Sequence, residues 1–301
     1  MAGDEAVMTS LDGRQLRLTN LDKVLYPAVG FTKAQVIDYY ARIAAVMVPH
    51  LSGRCITMRR WPDGVDGESF FNKRCPSHRP DWVETAPGPG DGANLIDYCR
   101  VDEAAALVWM ANLAALELHA PTALACDLDT PTLLVFDLDP GEPAGLVECC
   151  QVAEALRKVL DSVGLMGVAK TSGSKGLQVY VPLNATHTHD HARGFALAVG
   201  QLLMKQFPDQ VVVEMKKSLR AGKILIDWSQ NVRYKTTIAP YSLRGRETPT
   251  VSTPVTWVEV AECATGKPMS FRPDQVLDRV SVHGDLFRPV LEHRQSLPQP
   301  R

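Results

Sequence analysis

The sequence predicts an α+β fold. Short apolar runs that end in aspartate or proline indicate strands, and longer amphipathic stretches that stop at proline or glycine indicate helices. The two kinds of element do not alternate as in a repeating βαβ chain, so a purely parallel sheet is not expected.

Start and stop signals bound the predicted helices. Thr32 suits an N-cap, Pro49 is expected to end the first helix, Pro121 follows the second, and Gly164 suits the residue after the third. The predicted helices span residues 32–48, 104–119, 144–163 and 191–207. The predicted strands span residues 55–60, 133–137, 168–171, 177–182, 211–215 and 223–227.

The remaining segments are predicted to be irregular. Residues 1–13 are short and polar and are expected to form a flexible leader, and the polar, proline-containing residues 291–301 a flexible tail. Residues 76–94 are rich in proline, glycine and aspartate and indicate a loop. No linker-like stretch interrupts the rest, so residues 14–290 are expected to form one domain of two lobes around a single cleft.

Composition excludes several classes of protein. The chain of 301 residues is 45% hydrophobic and 22% charged, which is typical of a globular protein. It contains no run of ~18 apolar residues, and its N-terminus lacks the basic start and apolar core of a secretion signal. We therefore expect a cytoplasmic protein without membrane contact.

The seven cysteines are expected to be thiols in a reducing compartment, because their number is odd and no Cys-x-x-Cys pair occurs. Cys75 and His78 form half of a zinc pattern, but no second half follows at a suitable spacing.

Two aspartates in the run 133–140 are the most informative feature. Asp137 and Asp139 follow four apolar residues and are two positions apart, so on a strand both carboxylates point to one face. Such charges repel unless a proton or a cation lies between them, and oxygen ligands suit Mg²⁺ or Mn²⁺. The pair indicates half of a metal site for phosphoryl chemistry, with turn formation by Asp-Pro as the simpler alternative.

A third aspartate, Asp227, ends another apolar strand. Three aspartates from two strands can hold two divalent ions ~4 Å apart, which clamp the attacking and leaving oxygens of a phosphoryl displacement. Asp227 could also be a simple turn residue, but it is the one acid between residues 216 and 246, among eight basic residues. That local charge indicates an anionic partner. The basic residues are Lys216, Lys217, Arg220, Lys223, Arg233, Lys235, Arg244 and Arg246.

Two further segments suit a nucleotide. In residues 171–176, small residues let backbone N–H groups approach an anion and Lys175 supplies charge, which favours a triphosphate cradle over a serine-glycine hairpin. Phe70 and Phe71 beside Lys73 could stack on a base and contact phosphate, or one ring could belong to the core. His119 ends a predicted helix, where a lone histidine is usually a core or capping residue.

Together these segments resemble the bacterial primase-polymerase superfamily. The similarity is greatest to the polymerase domain of the multifunctional ATP-dependent DNA ligase D and its stand-alone relatives in mycobacteria and other actinobacteria. It covers roughly residues 15–290. The matching segments are 18–27, 70–71, 116–119, 135–141, 171–176, 217–223, 227–231 and 236–246.

The resemblance implies an RNA-recognition-like catalytic sheet packed against a second α/β lobe. It implies template-directed nucleotidyl transfer that prefers ribonucleotides, with two ions, preferably Mn²⁺, held by Asp137, Asp139 and Asp227. The nucleotide would be bound by Phe70, Phe71, His119, Thr171, Ser172, Lys175, Gly176 and Arg244, with His119 and Ser172 near the ribose. Asn20, Lys23 and Lys33 match residues that capture a 5′-phosphate of DNA. The residues that match loops near the DNA and the active site are Lys73, Lys217, Arg220 and Arg246.

We therefore expect a monomeric repair enzyme, associated with the bacterial nucleoid when on DNA. It would fill short 5′-phosphorylated gaps in excision repair from ribo- or deoxynucleoside triphosphates, with a separate DNA ligase as partner. The chain includes no ligase or nuclease segment, and residues 75–94 differ from ligase-fused domains, which favours gap filling over end joining at double-strand breaks. A metal-dependent nuclease and a non-catalytic DNA-end binding module are the alternatives from other classes.

Overall fold

The computed structural model describes residues 6–90 and 94–298, which form two compact units. The first unit comprises the residues up to Pro121 with Ile238–Val251 and Arg272–Gly284. The second comprises Thr122–Thr237, Ser252–Phe271 and the residues from Asp285 onward. The predicted single domain over 14–290 stays a prediction.

Helices combine with largely antiparallel strands, which confirms the α+β prediction. The helices are α1 (Lys33–Leu51), α2 (Ala104–Asn112), α3 (Leu146–Ser162), α4 (His189–Gln206), α5 (Trp257–Ala264), α6 (Pro273–His283) and α7 (Pro289–Glu292). The strands are β1 (Val7–Leu11), β2 (Arg14–Leu18), β3 (Val24–Tyr26), β4 (Phe31–Thr32), β5 (Thr57–Arg60), β6 (Phe70–Asn72), β7 (Thr85–Pro89), β8 (Leu95–Cys99), β9 (Ala115–Pro121), β10 (Ala123–Leu124), β11 (Asp127–Pro131), β12 (Leu133–Pro140), β13 (Val168–Thr171), β14 (Leu177–Pro182), β15 (Val211–Val212), β16 (Ile224–Asp227), β17 (Thr236–Ile238), β18 (Leu243–Arg244), β19 (Thr250–Val251) and β20 (Pro254–Val255). Within the described residues, no helix is long and apolar enough to cross a bilayer.

A six-stranded sheet in the order β15-β16-β12-β14-β13-β20 organises the second unit. Leu134, Phe136 and Leu138 of β12 pack into a core with α3 and α4. Val135 points the other way, into a cluster with Tyr180. Because successive strand residues alternate between faces, Asp137 and Asp139 lie on the face of Val135, away from α3 and α4.

In the first unit, β5 pairs antiparallel with both β6 and β9. Helices α1 and α2 pack against each other. Tyr40 on α1 donates a hydrogen bond to the Leu116 carbonyl of β9 at 2.6 Å and is fully buried. The hydroxyl thus satisfies a buried carbonyl while the ring fills the core.

The predicted helix over 104–119 is wrong in its second half. Helix α2 ends at Asn112, Ala114 has a φ of 57°, and β9 begins at Ala115. An apolar run has no periodicity that separates a buried helix from a buried strand, so pairing with β5 decides the structure. His119 therefore lies opposite Thr57 inside a sheet, not at a helix end.

The predicted flexible leader and tail are also wrong where the structure describes them. Asp12 and Gly13, both at positive φ, turn β1 back onto β2, and Leu16 becomes buried. At the other end, Gln295 bridges to Leu183 and Leu297 is buried. Residues 1–5 and 299–301 lie outside the described residues.

Two proline-containing regions differ from expectation. Helix α1 continues past Pro49 to Leu51, because only the last turn follows and a single helical hydrogen bond is lost there. Part of the predicted loop over 76–94 forms β7, which pairs with β8. Residues 91–93 of that loop lie outside the described residues.

Cys75 and Cys99 form a disulfide, so the prediction that all seven cysteines are thiols is wrong. The bond joins the segment after β6 to the end of β8, and the Cys75 N–H also donates to the Asp97 carbonyl at 2.7 Å. Two cysteines 24 residues apart do not form a recognisable sequence motif, so the sequence could not predict this bond. The position of Cys99 is set by the pairing of β7 with β8.

Reducing this disulfide is expected to lower the free energy of unfolding by about 2–4 kcal/mol, because the unfolded chain regains the freedom of the closed loop. Urea unfolding of the wild type and of Cys75→Ala, each with and without a dithiol reductant, measures the effect. Cys126→Ser is the matched control, since Cys126 is a free, exposed thiol. A wild-type midpoint that does not respond to reductant would show that the bond adds nothing to stability.

Candidate active site

The three predicted metal-binding aspartates lie on neighbouring strands of the six-stranded sheet. Strand β12 continues through Pro140, so Asp137 and Asp139 both lie within it rather than after its end. Asp227 is the last residue of β16 and lies directly opposite Asp137. Opposed residues of antiparallel strands point to the same face, so the three carboxylates share one face.

The buried Asp137 carboxylate lies close to two other negative charges. Burial, together with the nearby charges of Asp139 and Asp227, raises the pKa of Asp137 to about 7, although Gln178 donates a hydrogen bond to its Oδ1 at 3.0 Å. A divalent cation at this position would offset the repulsion among the carboxylates. Their number, charge and common face fit such an ion.

The Asp227 carboxylate is held by the turn that follows it. Oδ1 accepts the Ser229 N–H at 2.9 Å and the Ser229 hydroxyl at 2.6 Å, and Oδ2 accepts the Gln230 amide at 2.9 Å. In residues 6–90 and 94–298, no three His, Cys, Asp or Glu side chains converge as a ready-made metal site. Metal binding by all three aspartates stays a prediction.

Residues 171–176 form the tight connection between β13 and β14. The Ser172 Oγ accepts the N–H groups of Ser174 at 3.2 Å and Gly176 at 3.1 Å. A Cβ at Gly176 would lie 2.4 Å from the Leu138 carbonyl oxygen and 3.6 Å from Asp139 Oδ1. Glycine therefore lets this turn lie directly against the carboxylate strand. Lys175 is exposed and pairs with Glu142 at 2.6 Å, and Thr171 is buried.

The loop that carries Lys217 and Arg220 is attached to the end of β12. The Gly141 N–H donates to the Lys223 carbonyl at 2.8 Å, and the Gly222 N–H donates to the Gly141 carbonyl at 3.0 Å. A Cβ at Gly141 would lie 1.9 Å from the Arg220 carbonyl oxygen, so only glycine permits this approach. Lys217 is exposed, and the Arg220 guanidinium donates to the Met215 carbonyl.

In the first unit, the buried carboxylate of Glu117 organises a group of nucleotide-site candidates. Its Oε2 pairs with His119 Nε2 at 2.9 Å, and its Oε1 lies 3.2 Å from Arg244 Nε. Oε1 also accepts the Gly245 N–H at 3.1 Å, and Arg59 lies 3.9 Å from Oε2. Glu117 therefore positions both His119 and Arg244.

The protonation states follow from burial and these contacts. Burial lowers the pKa of His119, against the opposing effect of Glu117. Burial alone would raise the pKa of Glu117, but the His119 hydrogen bond and the Arg244 charge hold it below its ordinary value. At neutral pH we therefore infer a neutral imidazole that donates from Nε2 to Glu117 and keeps Nδ1 as an acceptor.

Phe70 and Phe71 are both exposed, at 45% and 57%, so neither ring belongs to the core. The Arg59 guanidinium lies 5.2 Å from the centre of the Phe71 ring, and Arg60 lies 5.3 Å from that of Phe70. His119 packs edge-on against Phe71 at 5.6 Å. Exposed rings backed by guanidinium groups can stack on nucleobases. Lys73 and Arg246 are also exposed.

The three 5′-phosphate candidates differ in exposure. Asn20, at a φ of 53°, and Lys23 are exposed on one turn, and Lys23 pairs with Asp63 at 2.8 Å. Lys33 is buried instead, and its ammonium donates to the Thr19 carbonyl at 2.6 Å. Lys33 thus supports the turn that presents Asn20.

Sequence reasoning did not assign roles to Glu117, Gln178, Lys170 or Arg59. Charged or amide side chains inside otherwise apolar strands were the available signal, since such residues are buried only with partners. Their partners lie on other strands, so the sequence could not name them.

The LigD primase-polymerase domain model matches residues 32–287. The chain belongs to this family. The multifunctional non-homologous end joining protein LigD of Mycolicibacterium smegmatis is 46% identical over 278 residues, which cover 92% of this chain and 36% of that protein. The corresponding LigD of Mycobacterium tuberculosis H37Rv is 44% identical over 288 residues, or 93% of this chain and 37% of that protein.

A solved structure, the polymerase domain from Mycobacterium tuberculosis ligase D in complex with DNA, superposes with a TM-score of 0.86 at 42% identity. The match covers 93% of this chain and 99% of that one. The LigD primase-polymerase domain is a metal-dependent, DNA-directed nucleotidyltransferase, which confirms the predicted enzyme class. The chain spans about a third of the length of the curated relatives, at 36% and 37%.

Proposed function

We propose that this chain is a template-dependent DNA repair polymerase that fills short 5′-phosphorylated gaps, preferring ribonucleotides, by two-metal-ion phosphoryl transfer. The observation that carries the proposal is the buried Asp137 carboxylate, placed with Asp139 and Asp227 on one sheet face and raised in pKa to about 7. Such a concentration of negative charge suits the binding of divalent ions.

The carboxylates would perform the central chemical role. When bound, two Mn²⁺ or Mg²⁺ ions would polarise the phosphoryl group and clamp the attacking and leaving oxygens. Asp137 and Asp139 would supply ligands from β12, and Asp227 would supply oxygens already oriented by Ser229 and Gln230. The turn at Ser172 and Gly176, which lies against β12, would receive the triphosphate. Lys175 would exchange its exposed pairing with Glu142 for phosphate, at little cost.

The first unit would recognise the base and the sugar. Phe71 would stack on a base, with Arg59 behind the ring. His119 Nδ1 would accept a hydrogen bond from the ribose 2′-OH, which distinguishes ribonucleotides from deoxynucleotides. Arg244, held by Glu117, would be a further nucleotide-binding residue of this unit.

DNA would be recognised through its terminal phosphate. Lys23 and Asn20 are exposed donors on one turn, and a terminal phosphate carries more charge than a phosphodiester. The exposed Lys73, Lys217 and Arg246, with Arg220, would contact the DNA backbone. After filling, the product would be a nick with a 5′-phosphate, which a DNA ligase would seal.

Lys23→Ala is expected to weaken binding to 5′-phosphorylated gapped DNA about tenfold and to leave binding to 5′-hydroxyl gaps unchanged, because one charge-assisted hydrogen bond is lost. Titration of fluorescent gapped duplexes measures both affinities. Lys267→Ala is the control, since Lys267 is an exposed lysine similarly paired with an acid, at 2.6 Å. Equal losses on the two DNAs would contradict a phosphate pocket at Lys23.

End joining is the second candidate, and the names of the curated relatives favour it. Primer extension with Mn²⁺ separates the two candidates. The substrates are gaps of one to three nucleotides and ends with 3′ overhangs, each with and without a 5′-phosphate, supplied with ribo- or deoxynucleotides. Phosphate-stimulated extension that is greater on gaps supports gap repair, whereas greater extension of paired ends supports end joining. Nucleotide release without added triphosphate would indicate a nuclease, and DNA binding without turnover would indicate a binding module.

A further inference from the structure

A buried lysine lies at the end of the row of residues that contains the aspartates. Asp227 on β16 faces Asp137 on β12, Asp137 faces Gln178 on β14, and Gln178 faces Lys170 on β13. Each of these pairs is directly opposed, so the four side chains share one face of the sheet. The row runs from two carboxylates through an amide to an ammonium group.

Lys170 is fully buried, which is costly for an ammonium group that lacks partners. Its Nζ donates to Gln178 Oε1 at 2.6 Å and to the Ser252 hydroxyl at 2.7 Å. It also lies 5.5 Å from the centre of the Tyr180 ring. These contacts hold a positive charge inside the sheet, one residue away from Asp137 along the row.

The contacts of Lys170 set the direction of the Gln178 amide. An amide has an acceptor end and a donor end, and the Lys170 ammonium, which can only donate, donates to Oε1. Nε2 must therefore face Asp137, whose Oδ1 it reaches at 3.0 Å. Without Lys170, this preference for one amide orientation would weaken.

We propose that Lys170 is a positioning residue for the metal site: acting through Gln178, it holds the Asp137 carboxylate in one orientation before a divalent ion binds. This proposal rests on the metal site of the proposed function. Groups that orient a metal ligand affect metal binding without touching the ion. The positive charge of Lys170 also offsets part of the repulsion among the aspartates, in the same direction as its effect on Asp137.

The test measures Mn²⁺ binding directly, from the electron paramagnetic resonance signal of free Mn²⁺ titrated with the full chain. Lys170→Met and Gln178→Met are each expected to weaken Mn²⁺ binding at least about tenfold. Because Lys170 is proposed to act through Gln178, the two losses should not add. The double variant should bind Mn²⁺ only slightly less tightly than the weaker-binding single variant. Circular dichroism and thermal unfolding establish whether each variant is folded. If Lys170→Met does not fold, Gln178→Met still tests the chain of contacts from Lys170 through Gln178 to Asp137.

Two controls separate the possible failures. Tyr180→Phe removes a hydroxyl that lies 2.8 Å from Thr237 Oγ1 and 3.2 Å from Gln178 Oε1, but it retains the ring and the contacts from Lys170 to Gln178 and on to Asp137. Its Mn²⁺ affinity should therefore stay within about threefold of wild type, a much smaller change than the loss of a group that orients a metal ligand. If Asp137→Asn binds Mn²⁺ normally, the proposed metal site itself is wrong. If Asp137→Asn loses binding while a folded Lys170→Met or Gln178→Met retains it, or if the two losses add in full, the role of Lys170 is overturned and the metal site stands.

Discussion

Asp137→Asn is expected to reduce nucleotide incorporation by at least about 10³-fold, because an amide cannot supply the charge that a divalent ion at this site requires. Single-nucleotide incorporation on a gapped duplex with saturating Mn²⁺ measures the loss. Asp161→Asn, an exposed aspartate on α3, is the control and should retain activity. Activity within a few-fold of wild type in Asp137→Asn would remove the aspartates from the mechanism.

The same substitution is expected to stabilise the metal-free protein. The folded protein retains the Asp137 proton up to about pH 7, whereas an unfolded chain releases it near pH 4. Between these values the folded state binds more protons, so the free energy of unfolding of the wild type falls as the pH rises. Asp137→Asn removes this loss of stability, so the variant should be more stable than the wild type by on the order of 4 kcal/mol above pH 7, with little difference near pH 4.

Urea unfolding with a chelator at pH 4, 6 and 8 tests this pH dependence. A variant that gains stability while losing activity would show that the wild type accepts electrostatic strain at a functional site. Equal stability of variant and wild type at pH 8 would mean that the repulsion between the carboxylates is already relieved in the metal-free protein.

Glu117→Ala is expected to lower the free energy of unfolding by about 3 kcal/mol or more, because it leaves the partly buried Arg244 and Arg59 without their shared acid. Nucleotide affinity should fall as well, since His119 and Arg244 both lose their anchor. Urea midpoints at pH 7 measure the first effect, and the KM for nucleotide measures the second.

Glu103→Ala is the matched control in the same unit, because its pair with Arg14 is more exposed and should contribute less than about 1 kcal/mol. The folded pKa of Glu117 is depressed, so its stabilising effect is present above about pH 4.5 and is lost as the pH falls. The difference between wild type and Glu117→Ala should therefore narrow in acid. A constant difference would indicate lost packing rather than lost charge.

Part of the six-stranded sheet could be predicted from local sequence. The strands over 168–171 and 177–182 have their predicted bounds, because short apolar runs between glycine and proline signals permit little else. The exposed pair Phe70 and Phe71 was a candidate from its neighbouring cations, but the same letters also suited a core position. The exposure of both rings in the folded chain decides between the two interpretations, and the pairing of β5 with β6 places guanidinium groups beside them.

The errors share one physical cause. The run 104–119 is apolar except for Asn112, Glu117 and His119, so local propensity could not show that Ala114 breaks it and that β9 pairs with β5. The cysteine prediction failed because a disulfide depends on where a hairpin brings a distant residue. The polar segment near the start of the chain is ordered by the pairing of β1 with β2, and the C-terminal segment is held by the buried Leu297.

By itself, the sequence determined the mixed fold class and the family, and it identified the three aspartates as candidates, because these depend on residue types at short spacings along one strand or one motif. The tertiary structure alone decided which residues serve those aspartates. Strand register brings Gln178 and Lys170 into line with Asp137, and the packing of β18 against β9 brings Arg244 to Glu117. Register arises from pairing between distant segments of the chain. Burial then strengthens the resulting polar contacts, because the protein interior has a lower dielectric constant than water.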